Sequence, residues 1–489
     1  MSKANWFPTK GLSIPLHQQI YEYMKENITN GEWIVGTKIP PQRELAKVFN
    51  VNRSTIVFAL DELTADGLIQ SQVGKGTFVV NNTWNLLASV PSPDWSSYVK
   101  AGAHQPNLHT IQEINRVEFE PNFIRLGTGE LAPELLPTNQ MKQIFQGVTA
   151  THLSLGYPES KGSLFLRECL SEYLHTKGIK ASPASIMIVS GGLQALQLIS
   201  LGLLHRGSTV LHETPSYLNS INVFQSAGIQ LTGIPMDENG IQVHNIGKLK
   251  RKHNASLLYS IPSFHNPTGV VMSKERRIAL LDACTHERLP IIEDDAYGDL
   301  WLEEAPPKPL KAYDQQGLVM YMGSMSKTLG PGLRIGWIVA PQAVVDRLAD
   351  IKMQTDYGSS TLSQFVVAEW LATGQYEEHL KAIRIELKQR RDYMLQLLQS
   401  YFSGIAHWNI PTGGFYIWLS IQKKMSINRL FSKAIKEGIL LNPGYVYDRN
   451  DQFHLRLSYS YAQLDEMKEG LLRLSELFKN SNKKTTEVD

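Results

Sequence analysis

The sequence predicts two folded parts: three short helices closed by a β-hairpin at the N-terminus, then a larger α/β domain built on a mainly parallel sheet. Three observations carry this. Before residue 67, apolar residues recur at helical spacing in short runs, and two β-like runs flanking Gly74-Lys75-Gly76 follow them. After residue 121, strand-like runs alternate with helical ones, the pattern of a sheet covered by helices. Finally, 489 residues exceed what one core organises, so two or three domains are expected.

In the N-terminal part, Leu16, Ile20, Met24 and Ile28 form the inward face of a first helix that stops near Asn30-Gly31. A turn through Gly36, Pro40 and Pro41 leads to a second helix with Leu45, Val48 and Phe49 on one face. Asn52 is placed to cap a third helix by accepting a bond from its first-turn amides. Ile56, Ala59, Leu60 and Leu63 make its inward stripe, and Gly67 is its stop. Residues 68–69 and 77–80 are then the strands of a glycine-tipped hairpin. Helices and wing in this order are a winged helix-turn-helix. Such a fold inserts the N-terminal end of its third helix into the DNA major groove, and here that end carries Arg53, Ser54 and Thr55. Arg43 can reach the DNA backbone, Phe58 can meet a thymine methyl, and Lys75 beside Gly76 can approach a minor groove or phosphate. The helical pattern alone favours a generic interaction module over DNA binding. The first 80 residues hold eight Lys/Arg against seven Asp/Glu, so DNA binding would rest on placed charges rather than a basic field.

Composition narrows the rest. With 42% hydrophobic and 19% charged residues and a net charge of +2, the chain reads as an ordinary soluble protein. Two cysteines, Cys169 and Cys284, give neither a disulfide framework nor a Cys-rich zinc site, so a cytoplasmic location is expected. Residues 1–12 lack an apolar core of signal-peptide length, and the apolar stretch 186–204 is broken by Ser190, Gly191, Gly192, Gln194 and Gln197, so no membrane span is expected. Expected boundaries are a DNA-binding domain at 1–80, a linker at 81–121 and a cofactor domain at 122–489. The linker has Pro91-Ser92-Pro93-Asp94, but Trp84, Leu86, Leu87 and Trp95 are apolar enough to pack on the next domain. A mobile coupling element is the alternative. The end after Phe478 is expected to fray.

In the larger part, strands are expected at 185–189, 209–212, 257–261, 290–293, 319–322 and 334–339. Ligands of such sheets sit at strand C-terminal ends. There the chain places Ser190-Gly191-Gly192-Leu193, Asn266-Pro267-Thr268-Gly269, Asp294-Asp295-Ala296-Tyr297 and Ser324-Met325-Ser326-Lys327, followed by Pro331-Gly332-Leu333-Arg334. Singly these are turns, caps and a surface lysine. Together they supply a Schiff-base lysine, a carboxylate for a ring nitrogen and a Gly, Ser and Arg phosphate cradle, which pyridoxal 5'-phosphate requires. No metal site is expected, because no His joins the Asp pair at ligand spacing.

Residues 14–80 resemble the GntR family, whose blocks stand here as Pro41-Gln42-Arg43-Glu44-Leu45-Ala46, Val51 to Leu60, and Gly74-Lys75-Gly76-Thr77-Phe78. Pro41-Gln42 stand where the family usually has a serine cap, and proline is acceptable in a first helical turn. Residues 122–478 resemble fold-type I, class I/II aminotransferases through Ser324-Met325-Ser326-Lys327 to Trp337, Asp294 to Tyr297, Asn266 to Gly269, Glu213 to Tyr217 and Tyr157 to Arg167. This resemblance implies that Lys327 forms the Schiff base and that Ser324, Ser326 and Arg334 contact the phosphate. It also implies Asp294 on the pyridinium nitrogen, Asn266 and Tyr297 on the ring hydroxyl, and Tyr217 stacked on the ring. Tyr157 would reach the partner subunit's phosphate. Gly192-Leu193 replace a Ser-Gln pair, leaving backbone amides to serve, and Asp295 leaves the nitrogen's partner open by one residue, with the spacing to Tyr297 favouring Asp294. Arg456, in His454-Leu455-Arg456-Leu457-Ser458, matches the arginine that clamps a substrate or effector carboxylate.

The order of parts is similar to the MocR regulators, which implies a head-to-tail homodimer on double-stranded operator DNA. The implied function is a transcription regulator sensing an amine or amino acid through external aldimine formation. Two alternatives stay open: an active aminotransferase with an accessory head, and a regulator that senses pyridoxal phosphate itself. Leu218-Asn219-Ser220 after Tyr217 lack the second arginine of the family's GABA sensor, so GABA is not expected as effector.

Overall fold

A computed structural model describes residues 6–12, 14–72, 74–81, 102, 107–151, 156–422 and 426–483, and the chain divides into two units, Met1–Gly102 and Ala103–Asp489. In the first unit the apolar stripes become α1 (Leu16–Thr29), α2 (Gln42–Val48) and α3 (Arg53–Ala65). Ile20, Met24, Ile28, Leu45, Ile56, Ala59 and Leu63 are fully buried at their shared core. The wing consists of β2 (Ile69–Gln72) and β3 (Gly76–Val79), and β1 (Lys38–Ile39) pairs with β3 on its other side. Two residues between Gly36 and Pro40 carry no alternation, so β1 left no sequence signal.

Two expectations fail here. Asn52 is the N-cap residue of α3, but its side chain makes no capping bond; its backbone carbonyl accepts from the Thr55 amide at 3.1 Å. Val48 is 42% exposed, because Leu45 and Phe49, one turn apart, already fill the inward face of a seven-residue helix.

The second unit is built on an eight-stranded sheet of order β5-β12-β11-β10-β9-β6-β7-β8. Its strands are β5 (Ile186–Val189), β6 (Thr209–Thr214), β7 (Gln230–Asp237), β8 (Gly240–Ile241), β9 (Ala255–Ser260), β10 (Ile291–Asp294), β11 (Val319–Ser324) and β12 (Gly336–Val339). The six expected strands are all present, with ends moved by one or two residues. β7 escaped notice because Gly233 and Pro235 interrupt its apolar pattern. β6, β7, β9, β10 and β11 pair in parallel, while β12 runs antiparallel between β5 and β11. The C-terminal ends of β5, β6, β9, β10 and β11 therefore open on one edge of the sheet. In β5, Ile186 and Ile188 pack on one face with Leu166 and Trp370, and Met187 and Val189 pack on the other with Leu196 and Ile199. Burial on both faces is why this strand reads as an unbroken apolar run.

A smaller antiparallel sheet follows, of order β13-β14-β17-β16, with β13 (Ala406–Trp408), β14 (Tyr416–Ile421), β16 (Asn442–Pro443) and β17 (His454–Ser458). β15 (Ile439–Leu440) pairs separately with β4 (Ile124–Arg125). Part of the stretch expected as linker is ordered differently: His109–Val117 form a helix, α4, that packs within the second unit. Ile114 and Val117 join the core around β14 and β17, and Ile111 packs on Val446 and Tyr447. Apolar residues three apart in a polar segment were too few to outweigh the surrounding turn residues. Trp84, Leu86, Leu87 and Trp95 lie outside the described residues. The last helix, Leu464–Lys483, runs past Phe478, where fraying was expected. Among the described residues no helix is long and apolar enough to cross a membrane.

Candidate functional site

A cavity of about 450 Å³ opens at the sheet edge where those strands end. Gly192, Leu193, Tyr217, Asn266, Asp294, Tyr297, Ser324, Ser326, Lys327, Arg334 and Arg456 all line it. Tyr157 lies elsewhere, as does Asp295. Tyr157 stands on the surface of the chain. It is 82% exposed and sits against Tyr357, with ring centroids 4.9 Å apart.

Asp294 and Asp295 are separated by strand geometry, since successive side chains at a strand end point to opposite faces. Asp294 faces the cavity and accepts from the Tyr259 hydroxyl at 2.7 Å and the Ala296 amide at 3.3 Å. Burial pushes its carboxyl up to about 6, against the lowering effect of those two bonds. Asp295 turns away, accepting from Tyr321 at 2.8 Å and pairing with Lys177 at 3.2 Å. Lys177 also pairs with Asp299 at 2.9 Å.

Beyond β11, the Ser324 hydroxyl accepts from the Ser326 amide at 3.1 Å and so tightens the turn into Lys327. The Lys327 ammonium donates to the Gly129 carbonyl at 2.6 Å and lies 5.9 Å from the Tyr297 ring centroid. Arg334 sits before β12 with a left-handed φ of 54°, which aims its guanidinium at the carbonyls of Ser190 (2.6 Å) and Pro331 (3.2 Å). It therefore leaves the strand expected to begin with it. Gly191 has φ 95°, and a Cβ there would lie 2.8 Å from that guanidinium. Only glycine lets the backbone come this close. The helix Gly192–Gly202 begins here, so its first-turn amides meet the cavity with no intrahelical acceptor.

Arg456 is 6% exposed. Its terminal nitrogens donate to Asn266 Oδ1 at 2.8 Å and the Gly127 carbonyl at 2.7 Å, while its Nε has no partner. The guanidinium is sandwiched by rings, 4.1 Å from the Tyr416 centroid and 4.9 Å from Tyr447. Tyr416 also meets the Tyr297 hydroxyl at 2.9 Å. Sequence reading missed Glu118, Gly127, Gly129, Tyr416, Asn442 and Tyr447, which line the same cavity. The one available signal was Gly127-Thr128-Gly129, one residue beyond β4. A Cβ on Gly129 would collide with the Tyr416 hydroxyl. Gly129→Ala is therefore expected to cost about 1–3 kcal/mol through overpacking. Urea unfolding checks this, and an unchanged midpoint would refute it.

In the first unit, Arg43, Arg53, Ser54 and Lys75 are exposed and Thr55 is half-buried. Phe58 is 62% exposed, and Gly76 opens β3 beside Lys75. The Arg53 guanidinium donates from Nε and one terminal nitrogen to Gln42 Oε1, at 3.1 and 3.0 Å. Pro41 is the N-cap residue of α2 and makes no side-chain capping bond, while Gln42 fixes the plane of Arg53.

The aminotransferase class I and II family matches residues 121–474, and the gntR family of bacterial regulatory proteins matches residues 16–79. The chain is 52% identical to the HTH-type transcriptional regulator YisV of Bacillus subtilis over 97% of its length and 98% of the relative's. It is 38% identical to the HTH-type transcriptional regulator NorG of Staphylococcus aureus, over 89% of this chain and 98% of that one. Among solved structures, the multiple substrate aminotransferase of Thermococcus profundus is 29% identical with a TM-score of 0.75, covering 80% of this chain and 100% of that one.

Proposed function

On the premise that the chain belongs to the aminotransferase class I and II family and, with its gntR-family head, is a transcriptional regulator of MocR-type architecture, we propose that it senses a primary amine or amino acid at Lys327 and alters its hold on operator DNA. The observation that carries the reading is the convergence of Lys327, Asp294, Arg334 and Arg456 on one cavity in a chain that also has a winged head.

The residues fit pyridoxal 5'-phosphate. The cradle at Gly191, which a Cβ would fill, and the Arg334 guanidinium suit its phosphate, together with Ser324, Ser326 and the amides of Gly192 and Leu193. Asp294 would hold the ring nitrogen, Asn266 and Tyr297 the ring hydroxyl, and Tyr217 the ring face. The bound cofactor supplies an aldehyde carbon that a primary amine captures. Lys327 would hold that carbon when the cofactor is bound. In this structure its ammonium donates to the Gly129 carbonyl at 2.6 Å. Arg456 takes the incoming carboxylate and, being braced by Asn266 and Gly127, needs little reordering to do so. Tyr157, exposed and outside its own chain's cavity, suits a homodimer in which it serves the partner subunit's phosphate.

The same residues would serve an aminotransferase. The head favours regulation, because Arg43, Arg53 and the wing have no use in amino transfer. Footprinting of cofactor-loaded protein is expected to show a specific operator whose affinity an amine changes. Arg53→Ala is expected to lower that affinity by about 1–3 kcal/mol. Sustained amino-transfer turnover, with footprints indifferent to every amine, would overturn the reading.

A further inference from the structure

Resting on the amine-sensing reading above, we propose that the effector carries a second cationic group, read by Glu118, so that a basic α-amino acid is the class this cavity fits. The inference comes from the cavity's charges. Lys327, Arg334 and Arg456 are its lining cations, and Asp294, Glu118 and Glu130 its lining carboxylates. The cations and Asp294 are committed to the cofactor and to the effector's carboxylate. Neither Glu118 nor Glu130 has an ion-pair partner among the described residues.

Glu118 is built into position. Its Oε1 accepts from the Thr128 hydroxyl at 3.0 Å, which orients the carboxylate and leaves its second oxygen available. It is also the C-cap residue of α4, where the free carbonyls of a nine-residue helix present their negative end. Arg456, which lines the same cavity, is 94% buried with an Nε that has no partner. Ile111 and Ile114 of α4 line the cavity beside Glu118 and offer an apolar wall for a methylene stem.

Other effector classes fit worse. A second acidic group would find no uncommitted cation. An uncharged apolar side chain would cover the Glu118 carboxylate without compensating its charge. The reading residue lies on the first described helix after the connector, so the contact falls on the segment of chain that leads to the head.

The test uses full-length, cofactor-loaded protein titrated with ornithine, norvaline and glutamate, followed by the cofactor's absorbance and by operator affinity. Ornithine is expected to bind at least about tenfold tighter than norvaline, a difference of about 1.4 kcal/mol. Glutamate should be weaker than either. In Glu118→Gln the ornithine-to-norvaline ratio should collapse to within about twofold. That ratio is taken within one variant, so a general folding defect does not imitate it. Equal affinities in the unaltered protein, or a preference retained in Glu118→Gln, overturn the proposal and leave amine sensing standing. If no amine moves either the absorbance or the operator affinity, amine sensing itself fails and this inference with it.

Discussion

Borohydride reduction of the cofactor-loaded protein is expected to fix one cofactor per chain on Lys327, and Lys327→Ala is expected to carry none. The effect is complete rather than graded, because it removes the nitrogen that makes the bond. Mass spectrometry of the digested protein reads it directly, and an adduct on another lysine would refute the assignment. The geometry argues for Lys327 over other lysines in three ways. It lies directly beyond β11, with Ser324 and Ser326 bracing the turn before it. Among the described residues its ammonium pairs with no carboxylate and donates to the Gly129 carbonyl, so no strong ion pair must break before it can react. Lys177, the other lysine near this strand edge, is locked between Asp295 and Asp299, and those charges hold its ammonium protonated. Burial opposes that effect and is overcome. A protonated, doubly paired amine is no nucleophile.

How much of this was legible in the sequence follows from where each residue's role resides. Lys327, Asp294, Arg334 and Asn266 are proposed to act through their own side chains and stand in short motifs at strand ends, so type and spacing together picked out residues that line one cavity. Gly127 and Gly129 act through backbone carbonyls, which every residue has, and their partners Arg456 and Lys327 lie 329 and 198 positions away. Tyr416 and Tyr447 bracket Arg456 from different strands and turns, so their roles exist only once β14 and β17 pair. The choice between Asp294 and Asp295 was undecidable from type alone, and the alternation of a strand decides which one meets the cavity. Among elements, β5 was readable because both its faces are buried, whereas β7 carries Gly233 and Pro235 near a sheet edge. Gln42 shows the opposite error. With Pro41 it marked the place of a missing capping serine, and the structure gives it a further task, holding Arg53.

Asp294→Asn should make the cofactor-free protein more stable at neutral pH while weakening its hold on the cofactor. Burial is the first cause of its raised carboxyl, which titrates at about 6 in the folded chain against 3.8 ordinarily. A carboxyl with a raised folded value binds more protons folded than unfolded between those two values. Its contribution is thus fully favourable below about pH 4 and is lost as pH rises through about 6. Above that, the folded state carries a buried, incompletely compensated anion. A shift of roughly two units sets the cost at no more than about 3 kcal/mol, less to the extent that water enters the cavity. Asparagine keeps an oxygen for the Tyr259 hydroxyl and carries no charge. Urea unfolding of cofactor-free protein should therefore show the variant ahead at pH 7.5, with the gap closing below about pH 4. A gap independent of pH would mean that Asp294 ionisation is not its source. In the loaded protein the order should reverse, because a protonated ring nitrogen is the counter-charge Asp294 lacks when the cavity holds no cofactor. On the proposed reading, stability given up at Asp294 in the free chain would make this carboxylate a strong partner for that nitrogen.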